Sequence, residues 1–250
     1  MRFPEFQLFN NKILNNLSKL AIVLVLLFIV LSILPGWIYG SKEVLLTFDD
    51  GPSQLYTPTV LEILAQNHIK AMFFVVGQEA AKNPELLKEI SRQGHILAIH
   101  TYTHRDITYM SPKDLEKEIL LTAKLIQQTT GQRPVYFRPP RGHYSRKNIE
   151  VINNLGFIPV IWDAGLEKKR YNNDAIKMVK RLIFKIKFRH NPVLLIHDGD
   201  PAHHIDRSAS LKALPDLIQK LKAGGYSFAD PDNKNFLKHV ELTRWNINEL

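Results

Sequence analysis

Two adjacent carboxylates, Asp49 and Asp50, stand in a tight turn directly after an apolar run. Residues 44–46 read VLL, and residues 47–52 read TFDDGP. At the mouth of a strand, one carboxylate can bind a metal ion while its neighbour stays free to take a proton from bound water. An Asp-Asp-Gly-Pro turn alone is usually only a solvated turn. Whether Asp49 and Asp50 act together with a metal ion and water therefore depends on which other residues the chain supplies.

A histidine pair follows another apolar run. Residues 96–99 read ILAI, which predicts a buried strand, and they lead to His100, with His104 four positions later. Imidazole nitrogens are good ligands for zinc and its neighbours, and two histidines with one carboxylate leave open positions for water and substrate. Asp50, His100 and His104 would together provide three metal ligands.

Two further segments place polar residues after predicted strands. Residues 135–137 lead into RPPRG at 138–142, where the prolines stiffen the loop and Gly142 lets backbone approach a ligand. Arg138 could clamp a carboxylate there. The apolar run at 193–196 ends in His197, which could act as a general acid for a leaving group.

Taken together, these motifs resemble the polysaccharide deacetylases of carbohydrate esterase family 4, the NodB-type domain. The resemblance covers roughly residues 42–230, and the motifs are 47–52, 100–104, 138–142 and 195–197. It implies metal-dependent hydrolysis of an acetamide. The expected cofactor is a divalent metal, Zn²⁺ with Co²⁺ as an alternative, held by Asp50, His100 and His104.

The resemblance also implies an acid–base group and a set of substrate contacts. Asp49 corresponds to the catalytic base, Arg138 to the residue that orients it, and His197 to the acid. The oxyanion is expected against the metal and the backbone N–H of Arg141. The positions expected to contact substrate or the oxyanion are Arg141, Leu195 and Trp162.

The chain departs from the family pattern after the predicted strand at 158–162. Many relatives carry an Asp-Trp pair there. Its Asp tunes the acid histidine, and its Trp forms one wall of the site. Here residues 168–169 are both lysine, and either Asp163 or Glu167 could take the place of the missing carboxylate. Ile99 stands where relatives often have a polar residue, and Arg141 stands where many have tyrosine.

The order of predicted elements favours an α/β fold. Apolar strand candidates alternate with helical segments, and every motif sits just after a strand, as active-site residues do in (β/α) barrels. The resemblance implies the distorted (β/α)7 barrel of the NodB type, which agrees with seven predicted strands. These strands lie at 44–48, 71–76, 96–99, 135–137, 158–162, 193–197 and 226–229.

N-cap residues, prolines and glycines predict where the helices begin and end. Thr57, Asn83 and Ser111 each precede a proline, which is typical of an N-cap followed by the first helical residue. Ser111 with Asp114 adds a capping-box pattern. Four glycines fall where such helices should end: Gly94, Gly131, Gly156 and Gly224.

Length and composition fit one catalytic domain at 41–230, followed by a tail at 231–250. The absence of cysteine excludes disulfides, iron–sulfur clusters and thiolate metal sites. The net charge of +9 includes a basic cluster between 177 and 189, but no nucleic-acid motif accompanies it, so no nucleic-acid partner is expected. We expect a monomer.

The N-terminus predicts export. Residues 20–34 form an apolar run behind three basic residues, which is short for a membrane span but can be extended through Trp37 and Tyr39. This pattern favours a retained membrane anchor within 1–40, with the catalytic domain outside the cell membrane. The alternative is a cleaved signal peptide and a secreted protein.

An exported deacetylase should act on an acetylated glycan of the cell envelope. The expected substrate is the N-acetylglucosamine of peptidoglycan or of a related polymer. Arg141 in the arginine–proline loop also resembles deacetylases of muramic acid, which makes that sugar the nearest rival. Two more functions stay open: a cyclic amide or imide hydrolase on the same scaffold, and a non-catalytic wall-binding protein.

Overall fold

The computed structural model describes residues 19, 21–27, 42–167, 174–202, 205–233 and 236. The chain separates into two compact units, Met1–Ser41 and Lys42–Leu250. In the first unit, residues 21–27 are helical and exposed. The second unit contains all the predicted site residues.

Parallel strands form the centre of the second unit, and every strand pair recorded among the described residues is parallel. The sheet order is β5-β4-β3-β2-β1-β7-β6, and β8 also pairs with β1. The strands are β1 (Lys42–Asp49), β2 (Met72–Val75), β3 (Ile96–Ile99), β4 (Tyr136–Phe137), β5 (Ile158–Pro159), β6 (Ala164–Gly165), β7 (Val193–His197) and β8 (Tyr226–Phe228).

Helices connect most successive strands, as parallel pairing requires. The α-helices are α1 (Thr57–Gln66), α2 (Gly77–Lys82), α3 (Pro84–Arg92), α4 (Pro112–Thr130), α5 (Arg146–Asn154), α6 (Ala175–Ile186) and α7 (Ser208–Ala223). Two short 3₁₀ turns lie at Ile107–Tyr109 and Pro140–Gly142. The predicted α/β architecture, a distorted (β/α) barrel, is confirmed.

The strand prediction at 158–162 was too long, and β6 was missed. β5 ends at Pro159 because the Val160 carbonyl accepts a hydrogen bond from Arg138 Nε at 3.0 Å instead of continuing a strand ladder. β6 has only two residues, Ala164 and Gly165, which pair with β7. A strand of this length leaves no periodicity in the sequence to detect.

Both faces of β1 are buried, which explains its nearly continuous apolar sequence. Val44, Leu46 and Phe48 belong to the larger core cluster, whereas Leu45 belongs to a second cluster with residues of other strands. Phe48 stacks on Phe73 of β2 with ring centroids 5.0 Å apart. This packing holds the two central strands at the register that the site requires.

Helix starts agree with the sequence in two cases of three. Asn83 and Ser111 are the N-caps of α3 and α4, and Ser111 Oγ accepts a hydrogen bond from the Asp114 N–H at 3.1 Å. Thr57 was wrongly predicted as a cap: α1 already begins there, and its hydroxyl donates to Asp198 Oδ2 at 2.6 Å. The four predicted glycines all lie within two residues after a helix end: Gly94, Gly131, Gly156 and Gly224.

The predicted membrane anchor at 1–40 lies mostly outside the described residues, as do Lys168, Lys169 and most of the tail at 231–250. Within the part of the chain that the structure describes, no helix combines the length and the apolar character needed to cross a bilayer.

We expect Phe73→Ala to lower the free energy of unfolding by about 3–5 kcal/mol, because it removes a fully packed ring from the core. Urea denaturation of the parent and the variant measures the difference. Tyr109→Ala is the control, since Tyr109 is 90% exposed and its removal should change the value by less than about 0.5 kcal/mol. Equal losses in the two variants would contradict the packing described here.

Candidate active site

The loops that follow β1, β3, β4 and β7 converge at one end of the barrel. Eight of the nine predicted site residues line a single cavity of about 780 Å³ there. The ninth, Arg138, is completely buried beside Asp49. The eight residues are Asp49, Asp50, His100, His104, Arg141, Trp162, Leu195 and His197.

Strand register explains why distant segments meet. Asp49 ends β1 and is the direct partner of His197 at the end of β7. On the other side of β1, β2 and then β3 follow, and His100 comes directly after the last residue of β3. The acid candidate and the histidine pair therefore flank the two aspartates from opposite sides.

The three predicted metal ligands form a cluster in which each offers one atom within 4.8 Å of the others. Asp50 Oδ1 lies 3.0 Å from His104 Nε2 and 3.4 Å from His100 Nε2. Two ligand atoms that share a tetrahedral zinc ion are about 3.3 Å apart. Asp50 Oδ1 is also buried without a hydrogen-bond partner. These residues fit a divalent cation.

Neighbouring groups orient the candidate ligands. His100 Nδ1 lies 2.8 Å from the Arg138 carbonyl oxygen. Because a carbonyl can only accept, the proton is on Nδ1, and the Nε2 lone pair is available to a metal. Arg207 Nη2 donates to Asp50 Oδ2 at 3.3 Å, which leaves Oδ1 for the cluster. Arg207 was missed by sequence analysis, since 157 positions separate it from Asp50.

Asp49 is held apart from this cluster by Arg138. Arg138 Nη1 donates to Asp49 Oδ1 at 2.6 Å and to Thr47 Oγ1 at 2.8 Å, and its guanidinium carbon lies 3.9 Å from the centre of the Phe74 ring. The other carboxylate oxygen of Asp49 is 3.7 Å from His100 Nε2. An arginine in this position pairs with the carboxylate and fixes one oxygen, while the second oxygen faces the cluster.

Glu167, rather than Asp163, lies beside the acid candidate. Its Oε2 is 3.1 Å from His197 Nδ1, and its Oε1 accepts a hydrogen bond from the His197 backbone N–H at the same distance. Asp163 instead pairs with Arg189 at 2.9 Å and accepts from the Val193 N–H. Of the two carboxylates between which the sequence could not choose, Glu167 is therefore the one that lies next to His197.

This arrangement shifts the pKa of His197 upward. Burial by itself lowers the pKa of the imidazole, but the charge of Glu167, contact with that carboxylate and the charge of Asp50 outweigh burial and raise it to about 9. Burial by itself raises the pKa of the Glu167 carboxyl. The neighbouring His197 and the hydrogen bond from the Ser210 hydroxyl outweigh burial and lower that pKa to about 2. His197 thus carries a proton at neutral pH, as an acid for a leaving amine must.

A third carboxylate, Asp198, was not assigned a role from the sequence. Burial raises its pKa to about 7, although the hydrogen bond from Thr57 favours the charged form. The charges of Asp50 and Asp49 act in the same direction as burial. The turn is crowded: a Cβ at Gly199 would overlap the Asp50 carbonyl, so only glycine fits there.

Backbone strain concentrates around the cavity. Five non-glycine residues among those described have positive φ, and four of them belong to the site loops. Such conformations are sparsely populated and persist where the surroundings impose them. Three of these four residues line the cavity, and the fourth, Thr101, accepts a hydrogen bond from the His104 N–H. The four are Asp50 (76°), Thr101 (62°), His104 (58°) and Arg141 (60°).

The predicted substrate contacts form the wall of the cavity. Arg141 is exposed at the rim, Trp162 is half-buried, and Leu195 is 5% exposed on β7. A Cβ at Gly142 would meet the Trp162 ring at 2.7 Å, so glycine permits the arginine–proline loop to lie against the indole. An apolar wall with one cation at its rim suits a sugar ring carrying polar substituents.

Comparison with known proteins points to one family. The family model described as polysaccharide deacetylase matches residues 39–160. A peptidoglycan-N-acetylglucosamine deacetylase of Bacillus cereus is 30% identical over 200 residues, which cover 80% of this chain and 91% of that protein. The peptidoglycan-N-acetylmuramic acid deacetylase PdaA of Bacillus subtilis is 30% identical over 208 residues, covering 81% of this chain and 74% of that protein.

Solved structures give the same result. The Bc1960 peptidoglycan N-acetylglucosamine deacetylase, in complex with 4-naphthalen-1-yl-N-oxidanyl-benzamide, superimposes with a TM-score of 0.70 and 28% identity. The match covers 76% of this chain and 86% of that one.

We expect Glu167→Gln to move the alkaline limb of the kcat/KM profile to lower pH. Removing the carboxylate charge destabilises the protonated imidazole, so the pKa of His197 should fall from about 9 towards its ordinary value of about 6.5. NMR titration of the His197 ring and the pH–rate profile measure the shift.

Two variants complete this test. His197→Ala should abolish the alkaline limb altogether. Asp163→Asn removes a nearby carboxylate that does not contact His197, and it should leave the limb in place. An unchanged limb in Glu167→Gln would show that Glu167 does not tune the acid.

Proposed function

Because the chain belongs to the polysaccharide deacetylase family, carbohydrate esterase family 4, we propose that it hydrolyses acetamido groups of a cell-envelope glycan. The proposed substrate is the N-acetylglucosamine of peptidoglycan or of a related polymer. Relatives at 30% identity and high coverage carry that substrate in their names, and the residues of the site support the corresponding chemistry.

One observation carries this proposal: the two adjacent aspartates have separate environments. Asp50 faces two imidazole nitrogens at 3.0 and 3.4 Å, whereas Asp49 is bound by Arg138 at 2.6 Å. These environments support the proposal that Asp50 binds the metal and that Asp49 takes the proton. A non-catalytic wall-binding protein would need neither the buried Arg138–Asp49 pair nor the protonated His197.

Asp50, His100 and His104 would hold the divalent cation, and we propose Zn²⁺, with Co²⁺ as a competent substitute. When bound, such an ion would polarise the acetyl carbonyl and lower the pKa of a water molecule. His and carboxylate ligands suit both metals.

The chain's own residues then manage the protons. Asp49, oriented by Arg138, accepts the proton of the attacking water. The backbone N–H of Arg141 is proposed to donate to the developing oxyanion, an interaction that gains strength as charge accumulates. His197, kept protonated by Glu167, donates its proton to the departing amine, so that acetate and a free amino sugar result.

Muramic acid is the second candidate sugar. The observation that favours it is Arg141, an exposed cation at the rim of the cavity, which could pair with the lactyl carboxylate of that sugar. The similarity to the N-acetylmuramic acid deacetylase PdaA points the same way. The intact cluster of Asp50, His100 and His104, however, fits ordinary metal-dependent deacetylation, which does not require a carboxylate on the sugar.

We propose that the protein acts as a monomer at the outer face of the cell membrane, anchored by the apolar run at 20–34. Basic residues before this run favour an N-terminus on the inner side. Release of a soluble exported protein that begins near residue 41 would contradict retention and favour a cleaved signal peptide.

Asp49→Asn should retain the metal and lose turnover by roughly 10²–10⁴-fold, because it removes the base but none of the three ligands. His100→Ala should lose both the bound metal and turnover, and the parent protein should lose both after chelation. Added Zn²⁺ or Co²⁺ should restore the activity of the chelated enzyme. Elemental analysis and acetate release are measured on the same samples.

The control for this pair is Asp216→Asn, a surface carboxylate on α7 that pairs with Lys220. It should keep both metal and activity. Full activity of metal-free parent protein would refute the division of roles between Asp49 and Asp50.

The substrate is tested by acetate release and mass loss on peptidoglycan fragments, chitin oligomers and acetylated xylan in parallel. We expect activity on the first two, since both present N-acetylglucosamine. Activity on xylan alone would overturn the substrate. Deacetylation confined to muramic acid would select the second candidate, and inertness of the metal-loaded protein on all three would favour a binding protein.

A further inference from the structure

We infer that the end of helix α6 is a docking surface for an anionic lipid bilayer. This basic aromatic patch consists of Lys180, Phe184, Lys185, Lys187 and Phe188. Phe184 is 81% exposed and Phe188 is 88% exposed. Every other phenylalanine in the described part of the chain is buried or half-buried. Two solvated rings one helical turn apart mark a surface that contacts something apolar.

The charge around these rings selects the partner. Residues 174–190 contain six lysine or arginine residues and one acidic residue. The Lys187 ammonium lies 5.4 Å from the centre of the Phe188 ring, so charge and aromatic surface occupy the same place. Aromatic rings that insert at the acyl boundary beside lysines that reach headgroup phosphates form the usual interfacial combination. An anionic wall polymer would match the lysines but would offer no apolar phase to the rings.

The patch lies at the end of the barrel where the second unit begins. Lys42, its first residue, pairs with Tyr226 in the β1–β8 register. The Tyr226 hydroxyl lies 2.8 Å from the carbonyl oxygens of both Ile186 and Arg189, which bracket Lys187 and Phe188. The Glu43 N–H also donates to Asn191 Oδ1 at 3.3 Å. The start of β1 and the patch are thus adjacent.

Covalent geometry makes the two features act together. The apolar run ends at Leu34, eight residues before Lys42, and eight extended residues span at most about 28 Å. If that run lies in a membrane, as proposed above, the start of β1 stays within about 28 Å of it, which keeps the adjacent patch near the bilayer. β1 is eight residues long and ends at Asp49, so the cavity lies about 23 Å further along the barrel. Docking through the patch would direct the cavity away from lipid and towards the wall. This inference rests on the proposed anchoring and not on the proposed chemistry.

The absence of cysteine from the chain permits a test on the full-length protein with single labels. A fluorophore is attached at Phe188→Cys, or at Tyr109→Cys, which is 90% exposed and follows β3 at the cavity end. Each protein is reconstituted in vesicles that contain a lipid-borne quencher, made of phosphatidylcholine with or without phosphatidylglycerol.

We expect severalfold stronger quenching at position 188 in the phosphatidylglycerol vesicles than in phosphatidylcholine alone, and little quenching at position 109 in either. Each lysine near an anionic surface strengthens binding about fivefold. Adding Lys180→Glu and Lys187→Glu should therefore reduce quenching at 188 to the level at 109. Equal quenching at the two positions, or no effect of the charge reversals, would overturn the inference.

Competing occupants have their own signatures, and each overturns lipid docking. Protection of the label at 188 that rises with protein concentration in lipid-free detergent would indicate a second copy of the chain. Protection by soluble polyphosphate equal to that by anionic vesicles would indicate an anionic polymer.

An activity measurement separates docking from catalysis. Acetate release from soluble N-acetylated oligomers by the Lys180→Glu, Lys187→Glu double variant should match that by the parent protein. A protein that docks but is inert on every glycan contradicts the proposed function alone.

Discussion

The buried ion pair between Arg138 and Asp49 is the interaction on which the rest of the site depends. A charged guanidinium with no exposed surface is tolerable only when it is paired with an opposite charge and hydrogen-bonded. Thr47 and Asp49 of β1 and the Val160 carbonyl after β5 supply partners to two of its three nitrogens. One side chain thereby joins β1 and β4 to the end of β5, and the requirement of its Nε explains why β5 stops where it does.

Groups of opposite charge lie beside the acidic and basic residues of the site. Arg138 binds one oxygen of Asp49, Arg207 occupies one oxygen of Asp50, and Glu167 keeps His197 protonated. Asp198, which lacks a cationic partner among the described residues, is the carboxylate whose pKa rises to about 7. The pKa values of His197 and Glu167 are therefore set by their contact with each other, whereas burial has the largest effect on that of Asp198.

The parts of this site that could be predicted from the sequence are those governed by strand ends. Parallel strands bring their carboxyl ends to one edge, so Asp49, His100 and His197 were expected to meet and do meet. Sequence analysis could not choose between Asp163 and Glu167, since both follow β5 closely and the choice depends on how the chain folds back along β7. Arg207 was not found at all, because a buried arginine near a helix start has no local signature. Thr57 was misassigned because its local pattern suits a cap, while its hydroxyl is used by Asp198. Long-range hydrogen bonds decided each of these cases.

β1 joins the two ends of the catalytic unit in a single extended segment. Its first residue, Lys42, begins the unit, and its last, Asp49, is the proposed base, with parallel neighbours β2 and β7 bonded along its sides. Any pull on the chain ahead of Lys42 would run lengthwise along this strand and load those hydrogen bonds in shear, where many share the force at once. Tension that reaches the unit through the chain ahead of Lys42 would therefore be borne by the strand that ends at Asp49 and leads into Asp50.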